Sequence, residues 1–508
     1  MTLHTEIEPA LVSDIVSMWA DAAPERIALV DGGHAWSYTT LHDAVRDTAT
    51  WLIASDIRPG DRVMLVCENC VAAVAIYIAC TAVGAWPVIV NAKLSDREID
   101  EIREHSGARR AIFTTGVSPK ARIQAARLGA TPAEPAGYGV ISMSALNEPT
   151  TPEAQSFAPN ENVAALIYTT GTTGKPKGVM LAHRNLMFVA KASAKARAMT
   201  SDDRVYMVLP VSHILGLTGV LLGSLVSGAS VYLASRFDPV AVLKAMEYDA
   251  LSVMIGTPSM YALTCEYAAR NKRSIEAPSL RLISSAGAPL DAATKANTEF
   301  AFGQTLHNGY GITECSPTIT LTALDAPRSD CAIGRVLPGI ETRLVNGDGH
   351  DVLAGDTGEL WIKSPGVMKG YYNAPEETTQ ALTADGWFKS GDLARFDNGN
   401  LFIVGRAKDL IIRFGFNVYP AEVEGVLNGF KGVACSAVIG AKNGDSEDVI
   451  AFVQPSPGSS VTEAALADHA AANLAPYKRP SKITLLHTLP MSPAGKILKN
   501  ELAVRAAA

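Results

Sequence analysis

The chain has 508 residues, 48% of them hydrophobic, and a formal net charge of −7. That length supports a large buried core and more than one domain. The acidic balance argues against nucleic acid or an anionic membrane surface as the main partner, so any polyanionic ligand must be met by local clusters of donors.

Seven scattered cysteines, an odd number in a long chain, fit a reducing compartment better than a disulfide framework. Cys67-Glu68-Asn69-Cys70 is a lone CxxC with no second pair or nearby histidines, and reads as two small buried thiols. The N-terminal stretch lacks a basic region followed by a long apolar run, so no secretory signal is expected. Residues 71–92 and 205–235 carry no charge, but glycines and prolines interrupt both. They suit a buried helix, turn and strand rather than one membrane-spanning helix. A cytoplasmic chain with no integral membrane segment is expected.

Leu11, Ile15, Met18 and Trp19 recur at helical spacing and predict a first amphipathic helix. Short strands follow at 27–30 and 36–38, joined by the hairpin signal Asp31-Gly32-Gly33. The pattern then predicts a helix over 41–53, a strand over 62–67, a helix over 71–83 and a strand over 86–90. A helix over 94–105 carries a cap signal at Ser95-Asp96 and a stop at Gly107. Alternation of this kind implies a mainly parallel sheet with helices on both faces. Residues 147–162, rich in Pro, Glu, Ser and Asn, read as a linker or surface loop.

The apolar run 163–167 leads as a buried strand into Tyr168-Thr169-Thr170-Gly171-Thr172-Thr173-Gly174-Lys175-Pro176-Lys177-Gly178. Glycines free the backbone there, and Pro176 withdraws one amide donor. Four threonine hydroxyls and two lysines crowd the bend, so amides, hydroxyls and ammonium groups form a cradle for phosphate oxygens. No stretch of the chain has the Walker spacing G-x-x-x-x-G-K-[ST]. A plain surface turn is the alternative, and a strand feeding so dense a donor set argues against it.

A second alternating block follows, with strands expected at 204–209, 230–233, 251–255 and 280–284. Beyond Arg335 the pattern changes to short strands at 342–345, 359–362, 387–388 and 401–404, separated by Asn-Gly and Asp-Gly turns, which suggests a small β-barrel or sheet. After Gly405 a mixed unit of about a hundred residues closes the chain.

The stretch from Tyr168 to Gly178 resembles the signature loop of the adenylate-forming superfamily, which includes acyl-CoA synthetases, luciferase and nonribosomal peptide synthetase adenylation domains. Motifs in matching order extend the resemblance over nearly the whole chain, most like a bacterial fatty-acyl- or aryl-CoA ligase. It implies an α/β fold with a large N-terminal domain over 1–405, made of two mainly parallel subdomains (about 1–160 and 161–330) and a small β-barrel (331–405). A small mobile α+β domain would follow over 406–508, with its hinge at Lys408.

By the same resemblance, Thr169, Thr170, Gly171, Thr172, Thr173, Gly174 and Lys177 hold the phosphates. Gly287, Ala288 and Pro289 border the adenine. In Asn308-Gly309-Tyr310-Gly311-Ile312-Thr313-Glu314, Tyr310 stacks on the base, Asn308 meets its amino edge, Thr313 meets phosphate and Glu314 holds Mg²⁺. Asp392 takes the ribose, Arg406 ribose or phosphate, and Lys496 bridges the substrate carboxylate and the α-phosphate. His213, Ile214, Leu215 and Gly216, with Ala286, Gly287, Gly309, Gly311 and Ser316, would wall the acyl pocket, and His213 would gate the carboxylate. Gly415 and Phe416 would line the CoA tunnel. Phe416 and Asn417 depart from the Gly-Glu pair of many members.

The implied reaction is ATP-dependent: the acid becomes an acyl-AMP with release of pyrophosphate, and the acyl group then passes to coenzyme A. Carrier-protein thiols or amines are alternative acceptors, and a catalytically inactive nucleotide-binding module is a reading of another class. The first pocket segment has no aspartate for an α-ammonium and no arginine for a second carboxylate. Ile214, Leu215 and several glycines suggest a roomy apolar slot for a medium- or long-chain fatty acid or an aryl acid. A homodimer is among the assemblies the sequence allows.

Overall fold

The apolar run after Cys70 becomes the helix Val71–Ala82, whose residues are buried through Thr81. A helix that is hydrophobic all round must be enclosed by the protein. Here the main apolar cluster holds it together with Leu65 and Ile89 from one sheet and Val205 and Val231 from another. The computed structural model describes residues 9–170, 176–414, 416–443, 446–491 and 497–507. Among them no helix is long and apolar enough to cross a membrane.

Two large sheets carry the N-terminal part. The first has nine strands in the order Arg335–Val336, Thr318–Leu321, Leu306–Gly311, Leu282–Ser285, Val253–Gly256, Arg204–Met207, Ser230–Leu233, Ile27–Asp31 and His34–Ser37. Its six central strands are parallel, as the alternating pattern predicts. The second has eight: Gly370–Tyr371, Pro176–Ala182, Val163–Thr170, Trp86–Asn91, Arg62–Cys67, Arg110–Phe113, Ile141–Met143 and Thr131–Ala133.

One expectation is corrected here. The sheets exchange strands across the subdomain boundary drawn near residue 160: strands 27–37 join the later block, while 163–182 and 370–371 join the earlier one. Strand order depends on long-range pairing, which local patterning does not encode.

The helix over Asp96–Ser106 matches its signals closely. Ser95 and Glu98 form a capping box, and Gly107 ends the helix in the left-handed region at φ 56°. The predicted strand 36–38 ends earlier, because the Ser37 side chain accepts from Thr40 N–H and starts the helix Tyr38–Ala54. Residues 108–146 carry no predicted element, yet they hold the strand Arg110–Phe113 and the helix Pro119–Arg127. That helix has a readable start in Ser118-Pro119.

The β unit after residue 330 is a four-stranded antiparallel sheet in the order Glu341–Val345, Gly358–Lys363, Phe388–Asp397, Asn400–Arg406. Beyond it, the hairpin Ile411–Arg413/Phe416–Val418 leads into the three-stranded sheet Val433–Asn443, Ser446–Pro455, Lys482–Leu485. Helices Pro420–Asn428, Glu463–Asn473 and Lys499–Ala507 complete this unit. Among the described residues no sheet spans residues 407–410, and the apolar clusters after them share no residue with those before. The C-terminal unit therefore has its own core. Cys67 and Cys70 are buried free thiols, as expected.

His183 opens the helix His183–Ala196, and its Nδ1 accepts from Val12 N–H at 3.0 Å. Burial lowers its pKa from 6.5 to about 4. Between those values the unfolded chain binds a proton that the folded chain refuses, so stability falls as the pH drops through this window. The full contribution is about 3 kcal/mol. A His183→Asn variant keeps an acceptor for Val12 but cannot titrate. Its melting temperature should fall less steeply than the parent's over the same window; parallel curves would remove His183 from the acid response.

Candidate active site

The cradle is built on an antiparallel pair. Strand Val163–Thr170 runs in and Pro176–Ala182 runs back, in the register Tyr168↔Gly178, Thr169↔Lys177, Thr170↔Pro176. Directly opposed residues share a face, so Lys177 stands beside Thr169. Gly171, Thr172, Thr173 and Gly174, predicted phosphate contacts, lie outside the described residues. A helix begins only at His183, after the returning strand.

Gly178 leaves room for the inbound strand's side chains: an added Cβ would lie 3.1 Å from Leu166 Cδ1 and 3.2 Å from the Tyr168 ring. The Tyr168 hydroxyl and His105 Nδ1 are 2.8 Å apart, which ties the end of the inbound strand to the helix Asp96–Ser106.

Two groups of predicted residues converge. In the first, Tyr371, which the sequence reading did not single out, stands between Lys177 and Glu314. Its hydroxyl donates to Glu314 Oε1 at 2.8 Å, and the Lys177 ammonium lies 5.2 Å from its ring centroid. Strand Gly370–Tyr371 reaches this place by pairing with the returning strand, Tyr371 opposite Val179. Burial, with the Glu314 charge next in importance, pushes the Tyr371 phenol far above its ordinary pKa. The Gly-Tyr-Tyr run was the only local signal for this residue.

In the second group, Asp392 is 3% exposed and directly opposite Arg406 in the register of the four-stranded sheet. Arg406 Nε donates to one carboxylate oxygen at 3.0 Å, and the Tyr310 hydroxyl donates to the other. Burial is the largest influence on Arg406 and opposes its charge, but Asp392 together with Tyr310, Asp409 and Glu314 outweighs it and the pKa is raised. Burial, then Asp392, keeps the Tyr310 phenol protonated.

Asn308 is held by the protein itself. Its amide nitrogen donates to the carbonyls of Cys331 and Ala332 at 3.3 Å, and its Oδ1 accepts from Gly309 N–H. Thr313 and Glu314 lie on the turn Thr313–Cys315.

Around the expected acyl pocket, Ile214, Leu215, Ala286 and Ser316 are buried, and Gly287 is exposed with φ +84°. The segment Leu215–Leu222 winds as a π-helix, a form frequent at functional sites. Leu215 lies across Gly287, with Cδ2 3.5 Å from where a Cβ would stand, and the Thr257 methyl is 3.8 Å away. His213 Nδ1 accepts from Leu215 N–H at 3.3 Å, which places the proton of a neutral ring on Nε2.

Three glycines expected to give room serve close packing instead. A Cβ on Gly216 would meet Pro210 O at 2.2 Å, on Gly309 Leu321 Cδ2 at 2.5 Å, and on Gly311 Pro317 O at 2.2 Å. Ser316 Oγ donates to Gly366 O.

Ala288 is half-buried and Pro289 exposed beside Gly287. Lys408 is exposed on the turn Ala407–Asp409. Phe416, 54% exposed, stacks on Tyr477 at 4.7 Å within the C-terminal unit. Gly415 and Lys496 lie outside the described residues.

The AMP-binding enzyme family matches residues 16–372, and its C-terminal domain matches 422–496. The chain belongs to the AMP-binding enzyme family. It is 36% identical over 492 residues to a feruloyl-CoA synthase of Amycolatopsis sp, covering 96% of this chain and 97% of that one. It is 31% identical over 505 residues to the 3-[(3aS,4S,7aS)-7a-methyl-1,5-dioxo-octahydro-1H-inden-4-yl]propanoyl:CoA ligase of Rhodococcus jostii (strain RHA1), covering 94% and 95%. Among solved structures it is similar to the O-succinylbenzoate coenzyme A synthetase of Bacillus subtilis in complex with ATP and magnesium ion. The TM-score there is 0.81 at 29% identity, covering 96% and 98%. This family member is an AMP-forming acid–CoA ligase, and ATP and CoA are substrates of such enzymes.

Asp392→Ala would leave the Tyr310 hydroxyl without its acceptor and Arg406 without its carboxylate. A loss of ~1–3 kcal/mol in urea unfolding is expected, with weaker ATP binding by calorimetry. Tyr310→Phe removes one donor from the buried Asp392 carboxylate but leaves Arg406 on its other oxygen, so it should cost less than Asp392→Ala, toward the lower end of that ~1–3 kcal/mol range.

Proposed function

We propose that the enzyme activates a ring-bearing, apolar carboxylic acid of the aryl or arylalkenoic class in preference to a straight-chain fatty acid. The observation that carries this reading is the packing of Leu215 across the bare face of Gly287, with the Thr257 methyl beside it. A flat ring laid on the bare Gly287 backbone would meet these apolar side-chain ends. Segments 211–216 and 286–287 bring no ionised Asp, Glu, Lys or Arg to it, which disfavours amino and dicarboxylic acids. The likeness to a feruloyl-CoA synthase supports the same class.

In this reading Thr169, Thr170, Gly171, Thr172, Thr173, Gly174 and Lys177 take the phosphates. Gly287, Ala288, Pro289, Asn308, Gly309, Tyr310, Gly311 and Thr313 border the adenosine phosphate, and Asp392 and Arg406 take the ribose. His213 faces the carboxylate. Glu314 would hold Mg²⁺: its carboxylate is a hard oxygen donor, oriented by the Tyr371 hydroxyl. That donor set fits an ion that draws its other ligands from phosphate and water. Bound there, the ion would neutralise phosphate charge.

The difficulty of the first half-reaction is repulsion between a carboxylate and a triphosphate. A carboxylate oxygen bonds to the α-phosphorus, the bond to the β-phosphate bridging oxygen breaks, and pyrophosphate leaves. Lys177 and Lys496 offset the charge where it concentrates. In the second half-reaction the CoA sulfur bonds to the acyl carbon, AMP departs with the electrons of the broken C–O bond, and the thiol proton passes to solvent. The chain would divide into a large domain over 1–405 and a small one over 406–508 that turns about Lys408, presenting Lys496 for the first step and Gly415 and Phe416 to pantetheine for the second. The separate apolar cores on either side support that division.

A panel of aryl, arylalkenoic and straight-chain acids, scored by acyl-CoA mass, tests the substrate class. Aryl and arylalkenoic acids should give the highest kcat/KM, and a best substrate among long alkyl acids would refute it. Running the panel with amines or a carrier thiol in place of CoA separates the other acceptors.

Lys496→Ala should slow acyl-adenylate formation ~10²–10³-fold while largely sparing thioester formation from supplied acyl-adenylate. Lys408→Pro should impede the turn between steps. Equal losses of both half-reactions in the first variant, or full rates in the second, would contradict the two-position scheme.

A further inference from the structure

We propose that Tyr371 is a positioning residue that aims the Glu314 carboxylate and seats the Lys177 ammonium, so that one side chain sets the spacing of the two charges the nucleotide meets. The inference rests on the reading above in which Glu314 takes the metal. Three features of the geometry carry it.

The Tyr371 hydroxyl donates to Glu314 Oε1 at 2.8 Å, leaving Oε2 and the second lone pair of Oε1 for other partners. The ring of the same residue lies under the Lys177 ammonium, 5.2 Å from the centroid, within cation–π range. And the backbone that holds Tyr371 is fixed on two sides. Tyr371 pairs with Val179 on the returning strand, and its N–H donates to Thr378 Oγ1 at 2.9 Å.

Glu314 sits on the short turn Thr313–Cys315, and its side chain has several rotatable bonds. Without an outside partner its carboxylate would sample several orientations, and the entropy of fixing it would weigh against metal binding. A hydrogen bond from a rigid phenol removes that freedom beforehand. Groups that orient a ligating side chain typically change metal affinity ten- to a hundredfold.

The test uses the full chain with Mn²⁺ as probe and α,β-methylene-ATP as an unreactive nucleotide, reading free Mn²⁺ by electron paramagnetic resonance. Tyr371→Phe should weaken Mn²⁺ in the nucleotide complex by roughly tenfold or more. Because its ring remains under Lys177, nucleotide affinity in EDTA should stay within about twofold. Tyr371→Leu, lacking the ring as well, should lose affinity in both titrations. Unchanged Mn²⁺ affinity in Tyr371→Phe would overturn the inference. So would an equal fall with and without metal, which would mark a merely structural role. Glu314→Gln separates the two levels. If it leaves Mn²⁺ affinity intact, the metal assignment of Glu314 fails and the inference falls with it. If it weakens Mn²⁺ and Tyr371→Phe does not, only the positioning role fails.

Discussion

Mutual repulsion among anions is the constraint on which the site depends. A carboxylate and a triphosphate meet only where fixed cations and donors are already in place, because groups that must be recruited at the moment of reaction add their reorganisation to the barrier. The antiparallel pair Val163–Thr170 and Pro176–Ala182 provides that fixity. It sets Lys177 opposite Thr169, and a third short strand at Gly370–Tyr371 brings a tyrosine between Lys177 and Glu314. Lys177 itself thus lies on paired strand backbone.

The same logic appears at the other end of the proposed nucleotide site. Asp392 and Arg406 face each other across paired strands, so their contact is a consequence of sheet register rather than of loop conformation. Buried, Asp392 would be costly as a lone charge. Arg406 and the Tyr310 hydroxyl, one on each oxygen, offset that cost while leaving carboxylate lone pairs for a ribose. Tyr310 is thus anchored through its hydroxyl, and its ring orientation is fixed before any base arrives.

Much of this was legible from residue order, and the limits were physical. Strands and helices with strong local signals, such as 62–67, 71–82 and 96–106, follow from periodicity and caps. Which sheet a strand joins does not: the segment 27–37 pairs with strands some two hundred residues away, and no local pattern records that. The charged site residues were assigned through the resemblance of their motifs, in matching order, to those of the adenylate-forming superfamily. Tyr371 was not, since a tyrosine next to another tyrosine reads as packing until its hydroxyl is seen on Glu314. Glycines misled in the opposite sense. Gly216, Gly309 and Gly311 suggest open space in a sequence, whereas in the fold neighbouring carbonyls and Leu321 occupy the room a side chain would need.

That last point bears on how such a protein selects its acid. A pocket made by leaving glycines empty would be tuned by filling them; Gly216 and Gly311 resist filling because the obstructing atoms are backbone, and at Gly309 the Leu321 side chain stands in the way. Gly287 differs: it is exposed, and its nearest neighbours are the ends of Leu215 and Thr257. Under the proposed acyl-pocket reading, Leu215 is the side chain placed to set the fit of the acid. Its position at the start of a π-helix, a winding less favourable than the α form, indicates that local regularity yields there to the aim of that residue. The shape of the slot follows from where the chain can tolerate substitution, and the charges around it follow from where the sheets hold their register.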